Sequence, residues 1–285
     1  MDTDRKTIEW LKSCQNADGG FGNFPGAKVS MADYTVAAVA SLSEFYSEMP
    51  NDRSKCIDWM KSCQNDDSAF GRVPGDTSFA DYTCSALAAL YTLGVYPKNV
   101  SKIIGWLKSC GNEDGGFGRR QGEPSDVDST ASCVSGLSIL GEKPDDPYRI
   151  IKYIHSLRCP QGYMSSAGGK GNIEYAALAL TVLETCGADT TPVNELLNFT
   201  LSCQNPDGGF GELPVKPSNI DYTYSALDII YRAGRKPNDY GKCVEFVNSC
   251  RNSDGGFGWI SGAESRIEYA YYGLSCVNYL KVLGR

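Results

Sequence analysis

Trp10-Leu11-Lys12-Ser13-Cys14-Gln15-Asn16-Ala17-Asp18-Gly19-Gly20-Phe21-Gly22 recurs without gaps at four further places, starting at Trp59, Trp106, Phe199 and Phe246. A second anchor follows each copy, and one more completes the set. The anchors are Asp33-Tyr34-Thr35, Asp81-Tyr82-Thr83, Asp128-Ser129-Thr130, Glu174-Tyr175-Ala176, Asp221-Tyr222-Thr223 and Glu268-Tyr269-Ala270, and their acids lie 46 to 48 residues apart. A fixed period of this length marks a repeat architecture. Six units, residues 3–51, 52–98, 99–146, 147–192, 193–239 and 240–285, fill one domain spanning residues 1–285.

Each unit reads as a helix pair. Ile8, Leu11 and Cys14 lie three apart, a helical stripe. The stripe stops at Asp-Gly-Gly-Phe-Gly, where glycine permits the positive φ that ends a helix. A short loop then leads to a second helix rich in Ala, Ser, Leu and Val. Five second helices are preceded by Ser-x-x-Asp/Glu (Ser30/Asp33, Ser78/Asp81, Ser125/Asp128, Ser218/Asp221, Ser265/Glu268), which predicts a capping box. An open array of such pairs needs polar units at its ends, and the first and last units are as regular as the middle ones. The expectation is a closed all-α toroid, an α6–α6 barrel of six inner and six outer helices.

The 41% apolar and 21% charged residues suit a globular chain with a core. The net charge of −7 argues against nucleic acid as a partner. The first residues lack a charged-then-apolar export pattern, so the expected location is cytoplasmic. The chain has twelve cysteines and no Cys-x-x-Cys pair. Five of them (Cys14, Cys63, Cys110, Cys203, Cys250) share one register, and Cys56 and Cys243 share another, which reads as buried small apolar residues.

The Cys-Gln-Asn-x-Asp-Gly-Gly-Phe-Gly signature resembles the repeat of protein prenyltransferase β subunits and, more loosely, of squalene and oxidosqualene cyclases. That resemblance implies a central apolar cavity for a polyprenyl chain, with Tyr34, Tyr82, Tyr175, Tyr222 and Tyr269 ringing its mouth beside the acids. Capping and packing explain the same residues without any ligand. Unit three departs from the pattern: Asp126-Val127-Asp128-Ser129-Thr130-Ala131 is similar to the Asp-x-Asp-Asp-Thr-Ala motif of protonation-initiated (class II) terpene cyclases. Asp128 matches the proton donor and Asp126 the first carboxylate, with Ser129 in place of the third acid. A neighbouring carboxylate raises the pKa of such a donor.

The same resemblance offers a second reading, prenyl transfer. Its zinc ligands align with Asn219, Asp221 and Tyr269, a poor set for that metal, so no metal or cofactor is expected beyond Mg²⁺ accompanying a diphosphate. Lys216 and Tyr222 match family positions on the diphosphate, while Leu213 replaces the partner arginine. Arg119 and Arg120 form a second candidate anion site. The only histidine, His155, aligns with outer-helix lysines and reads as a solvated residue. Unit four replaces its turn by residues 159–170, either a mobile lid or a degenerate surface loop. The expected function is acid-initiated cyclisation of a polyprenyl substrate. The alternatives are a prenyltransferase-like protein handling a prenyl diphosphate, or a silent toroid binding a prenyl chain, a partner protein or a second copy. A glycan-active toroid ranks last, because Asp126 and Asp128 are too close in sequence to flank a sugar bond.

Overall fold

A computed structural model describes residues 3–188 and 191–285. The outer helices, the first of each unit, are α1 (Thr3–Ser13), α3 (Arg53–Ser62), α5 (Val100–Ser109), α7 (Pro147–Ser156), α9 (Thr191–Ser202) and α11 (Tyr240–Ser249). The inner helices are α2 (Ala32–Tyr46), α4 (Ala80–Thr92), α6 (Val127–Ile139), α8 (Ile173–Thr185), α10 (Ile220–Arg232) and α12 (Ile267–Leu283). Each inner helix packs on the next in order, and α12 packs on α2, so the inner ring is closed.

The repeated motif builds the joints. Asp18 accepts from the Gly20 amide (3.0 Å) and the Ser30 hydroxyl (2.8 Å), while the Asn16 amide donates to that hydroxyl at 3.0 Å. Phe21 is fully buried, and its amide donates to Thr35 Oγ1 at 3.0 Å. Gln15 donates to the Asp52 carbonyl at 3.0 Å and so joins its unit to the next. The five register cysteines are buried, as are Cys56 and Cys243, and all twelve are free thiols.

The capping boxes do not form, because the serines are already committed to the turns. Each inner helix starts later, with N-caps at Met31, Phe79, Asp126, Asn172, Asn219 and Arg266. Only Asp126, Asn172 and Asn219 cap through their side chains. The anchor acids therefore sit in the first helical turn, free of capping duty.

A backbone stitch closes the ring. The first inner-helix amide of each unit donates to the residue that follows the turn of the next unit: Ala32 to Arg72, Ala80 to Arg119, Val127 to Ser165, Ile173 to Glu212 and Ile220 to Trp259. Ile267 donates to Asn23 at 2.9 Å, joining the sixth unit to the first. Residues 158–172 of unit four fold into an antiparallel meander of β1 (Arg158–Cys159), β2 (Gly162–Met164) and β3 (Gly171–Asn172), with Tyr163 fully buried. It is an anchored part of the ring rather than a free lid.

One joint is strained. Unit two has Ser68 where the others have glycine, and Ser68 holds φ +73. Such a conformation costs a non-glycine residue about 1–2 kcal/mol, whereas glycine loses about 0.5–1 kcal/mol of extra chain entropy. Ser68→Gly is therefore expected to raise stability by about 0.5–1 kcal/mol, read from the midpoint of denaturant unfolding.

Candidate functional site

The six stitches gather all inner-helix N-termini at one end, which forms the mouth of the lumen. The residue that ends each stitch decides the fate of the neighbouring acid. Arg72 reaches Asp33 through two bonds (3.2 and 2.7 Å), and Arg119 reaches Asp81 likewise (3.2 and 2.9 Å). The corresponding residues facing the other acids are Ser165, Glu212, Trp259 and Asn23, none of them a cation.

The mouth thus has two unlike arcs. Over α12, α2 and α4 lie Arg266, Arg72 and Arg119, each paired to a carboxylate: Glu264, Asp33 and Asp81. Over α6, α8 and α10 lie Asp126, Asp128, Glu174, Glu212 and Asp221, with no cation paired to them among the described residues. Asp126 accepts from the Ser129 amide (2.6 Å) and hydroxyl (2.8 Å), so it is a true N-cap held in place. Asp128 is exposed at the mouth. The surrounding ring nonetheless strips its solvation and pushes its carboxyl up to about 6, with the charge of Asp126 adding to the effect. Desolvation first, then Asp221 and Asp128, pushes Glu174 to about 7. Desolvation and Glu268 push Asp221 to about 6.

These shifts set a pH dependence of stability. The folded-state pKa values exceed the ordinary carboxylate values near 4, so the folded chain binds more protons than the unfolded one between about pH 4 and 7. The contribution of these three groups to stability falls as pH rises through that window. The thermal midpoint is expected to drop between pH 4.5 and 7, and the combined Asp128→Asn, Glu174→Gln and Asp221→Asn variant should flatten the slope.

Below the mouth a slot of about 440 Å³ lies under the arginine-bearing arc. It runs from Asp33, Tyr34 and Glu268 past Ala37, Ala40 and Ala88 to Glu44 and Thr92, with Tyr271 and Tyr272 as one wall. The eleven helical steps from Asp33 to Glu44 make its depth about 16 Å at the helical rise. Asp126 and Asp128 do not line it. Aromatic rings continue from this wall: Tyr272 stacks on Tyr224 (5.1 Å), Tyr224 on Tyr279 (6.2 Å), and Tyr279 meets Tyr231 (5.0 Å). Tyr279 donates to the buried Asp228 at 3.0 Å, and Arg232 holds the other Asp228 oxygen at 2.9 Å.

The remaining expected site residues divide clearly. Tyr34 and Tyr82 belong to the arginine arc, where Arg72 lies 5.6 and 5.9 Å from their ring centres. Tyr175, Tyr222 and Tyr269 stand on the other inner helices, and the Tyr222 hydroxyl donates to Glu212 at 3.4 Å. Lys216 is not brought to Tyr222. It is exposed and lines an outer groove with Asp207, Glu245 and Phe246. Arg120 turns outward to Glu123. His155 is exposed.

The zinc register does not fit a metal. The Asn219 side-chain oxygen is spent on the Tyr222 amide at 2.8 Å. Among the described residues no group of three or more His, Cys, Asp and Glu side chains is placed to hold an ion. Among those residues, too, no helix is long and apolar enough to cross a membrane.

Arg72, Arg266, Glu44 and the tyrosines at 224, 271, 272 and 279 were not singled out from sequence. A signal existed for Arg72, which shares the register of Arg119 after the turn. Another existed in the tyrosine-rich run 269–272.

The chain matches the prenyltransferase alpha-alpha toroid domain over residues 4–103, 94–239 and 133–285. No curated protein matches it in sequence. It is similar in structure to Candida albicans protein geranylgeranyltransferase-I complexed with GGPP, with TM-score 0.72, 16% identity, and coverage of 87% of this chain and 83% of that one. It is also similar to the type II terpene cyclase MstE from Scytonema, with TM-score 0.68, 13% identity, and coverage of 99% and 97%. A third similar structure is the ent-copalyl diphosphate synthase from Streptomyces platensis, with TM-score 0.58, 15% identity, and coverage of 89% and 50%. At these identities the likeness establishes the fold.

Proposed function

We infer the activity from one premise: the chain belongs to the prenyltransferase alpha-alpha toroid family. The reading best supported is acid-initiated, zinc-independent transformation of a polyprenyl substrate, with Asp128 as proton donor. One observation carries it. At a register where Asp33 and Asp81 are each locked by an arginine, Asp128, Glu174 and Asp221 have no cation and raised carboxyls, and Asp128 alone has a second carboxylate, Asp126, two residues before it at the start of its own helix. Such an acid is partly protonated on the acidic side of neutral and can release that proton, which a carboxylate paired to arginine cannot do.

In the reaction Asp128 would transfer its proton to one carbon of a terminal alkene. The π electrons form the new C–H bond and leave a cation on the other carbon. The next alkene closes on that cation, and loss of a proton from the product ends the sequence. Tyrosine faces in the lumen suit a passing cation. Asp126 acts through Asp128, because its charge favours the protonated neighbour.

Glu44 is the competing acid, since it lines the slot itself and burial pushes its carboxyl up. The test is incubation with geranylgeranyl diphosphate, squalene and oxidosqualene, with mass spectrometry of extracted products. Recovery of unchanged substrate in every case, from protein shown to bind the chain, would reject catalysis and leave a binding toroid. A product lost in Glu44→Gln but kept in Asp128→Asn would move the donor to the bottom of the slot.

A further inference from the structure

The foot of the slot holds a charge that the fold leaves unbalanced. Glu44 lies in the last turn of α2 and lines the slot beside Thr92 and Tyr271. A carboxylate there faces the negative end of the helix dipole, which favours a cation instead. That turn contains no basic residue. Glu48, just beyond the helix, is paired to Lys12 at 2.7 Å. Glu44 is exposed to the slot and makes no hydrogen bond or ion pair with the described residues. The walls around it nonetheless strip part of its solvation and push its carboxyl up.

The same layer of the lumen could have supplied a partner and does not. Glu44 shares its register with Thr92, Ile139, Thr185, Arg232 and Tyr279, so Arg232 is the one cation of that layer. Arg232 is already held by Asp228 at 2.9 Å and by Glu184, and it donates to Thr181 Oγ1 at 3.2 Å. The charge of Glu44 is felt instead by the Tyr271 hydroxyl, which burial and then that charge push up to about 12. A carboxyl at a helix C-terminus, partly desolvated and without a cation, lowers stability. Losses of this kind are tolerated where a side chain serves a ligand.

We propose that Glu44 and the Thr92 hydroxyl form a polar foot to the slot, and that they take a hydroxyl carried at the far end of the bound chain, about 16 Å below the mouth. A hydroxyl suits both groups, since it can donate to the carboxylate while accepting from threonine. An anionic end would meet the charge of Glu44. A bare hydrocarbon end would displace water from Glu44 and return no hydrogen bond. The ligand is thus polar at the end that enters first and apolar along its middle, where Ala37, Ala40 and Ala88 line the slot.

This inference rests on the polyprenyl reading above for the chain and adds the chemistry of its far end. Calorimetric titration with farnesyl methyl ether, which has no donor, and with its ω-hydroxy derivative separates the two. The wild-type protein is expected to bind the hydroxylated chain roughly tenfold or more tightly. Glu44→Leu should erase that advantage and bind the methyl ether at least as well as wild type does. Freed of an unpaired acid at the helix end, ligand-free Glu44→Gln should melt at a higher temperature than wild type. Equal affinity of wild type for the two ligands would overturn the foot while sparing the polyprenyl reading. An advantage that survives Glu44→Leu would do the same, because the hydroxyl would then sit elsewhere. A lower melting temperature in Glu44→Gln would mark the side chain as part of the fold and likewise overturn the foot. Binding of neither ligand would sink both. The wild-type comparison needs no variant, so it stands even if a substitution weakens the fold.

Discussion

Asp128→Asn is expected to reduce turnover by about 10²–10⁴-fold, the usual worth of a positioned acid, with substrate affinity nearly unchanged. The proton acts only in the transition state, so its loss appears in kcat rather than in binding. Since the donor must be protonated, the wild-type rate should fall as pH rises above about 6. Asp126→Asn removes the charge that helps hold that proton, so the falling limb should move to lower pH. Asp126→Ala additionally strips the cap from the Ser129 amide, at a cost of about 0.5–2 kcal/mol of stability. Asp81→Asn is the internal control: it occupies the same helical position, but its partner is Arg119. Equal behaviour of Asp81→Asn and Asp128→Asn in the product assay would remove Asp128 from the chemistry.

Gly255→Ala should be among the most damaging single-methyl additions in the chain. Gly255 holds φ +101, and a Cβ there would stand 2.5 Å from the Lys6 carbonyl oxygen, a backbone atom that cannot rotate away. Its own carbonyl accepts from the buried Thr7 hydroxyl at 2.8 Å. The left-handed conformation costs alanine about 1–2 kcal/mol, and forced separation of packed atoms adds about 1–3 kcal/mol. Gly262→Ala is the matched comparison, with φ +77 and nothing within 4 Å of the added carbon. The excess loss in Gly255→Ala therefore measures the joint between the sixth unit and the first. Denaturant unfolding that gave the two variants the same loss would show that this joint does not form in solution.

The fold was legible because its signals are local and repeated. Gln15, Asn16, Asp18, Phe21 and Thr35 each make a bond or a burial that recurs at the same spacing, so copies in the sequence correspond to copies of the joint. Helix starts were less legible. Ser30 and its equivalents satisfy a capping pattern on paper, but the helix starts one residue later, with Met31 as N-cap, and the Ser30 hydroxyl donates to the turn's Asp18 and accepts from Asn16. Of the acid pair, Asp128 could be singled out from its neighbour Asp126, yet the cap belonged to Asp126. The two arcs could not be read along the chain. They arise because the residue after each turn meets the acid of the preceding unit, as Arg72 meets Asp33 across 39 positions. The slot was hidden for a similar reason, since its walls come from the first, second and sixth units.

The stitch from Ile267 to Asn23, made across 244 positions, has a consequence for how the protein unfolds. In an open row of repeats the end units have one neighbour each, so they fray first and melting spreads inward. A closed row has no end unit, and loss of any one unit exposes two interfaces at once. Partial unfolding is thereby penalised, and the six units should melt as a single cooperative block. The same closure delays folding, because the last joint must bring together parts of the chain far apart in sequence before it is rewarded. Units with local contacts can form early, but the lumen exists only after the final seam has closed.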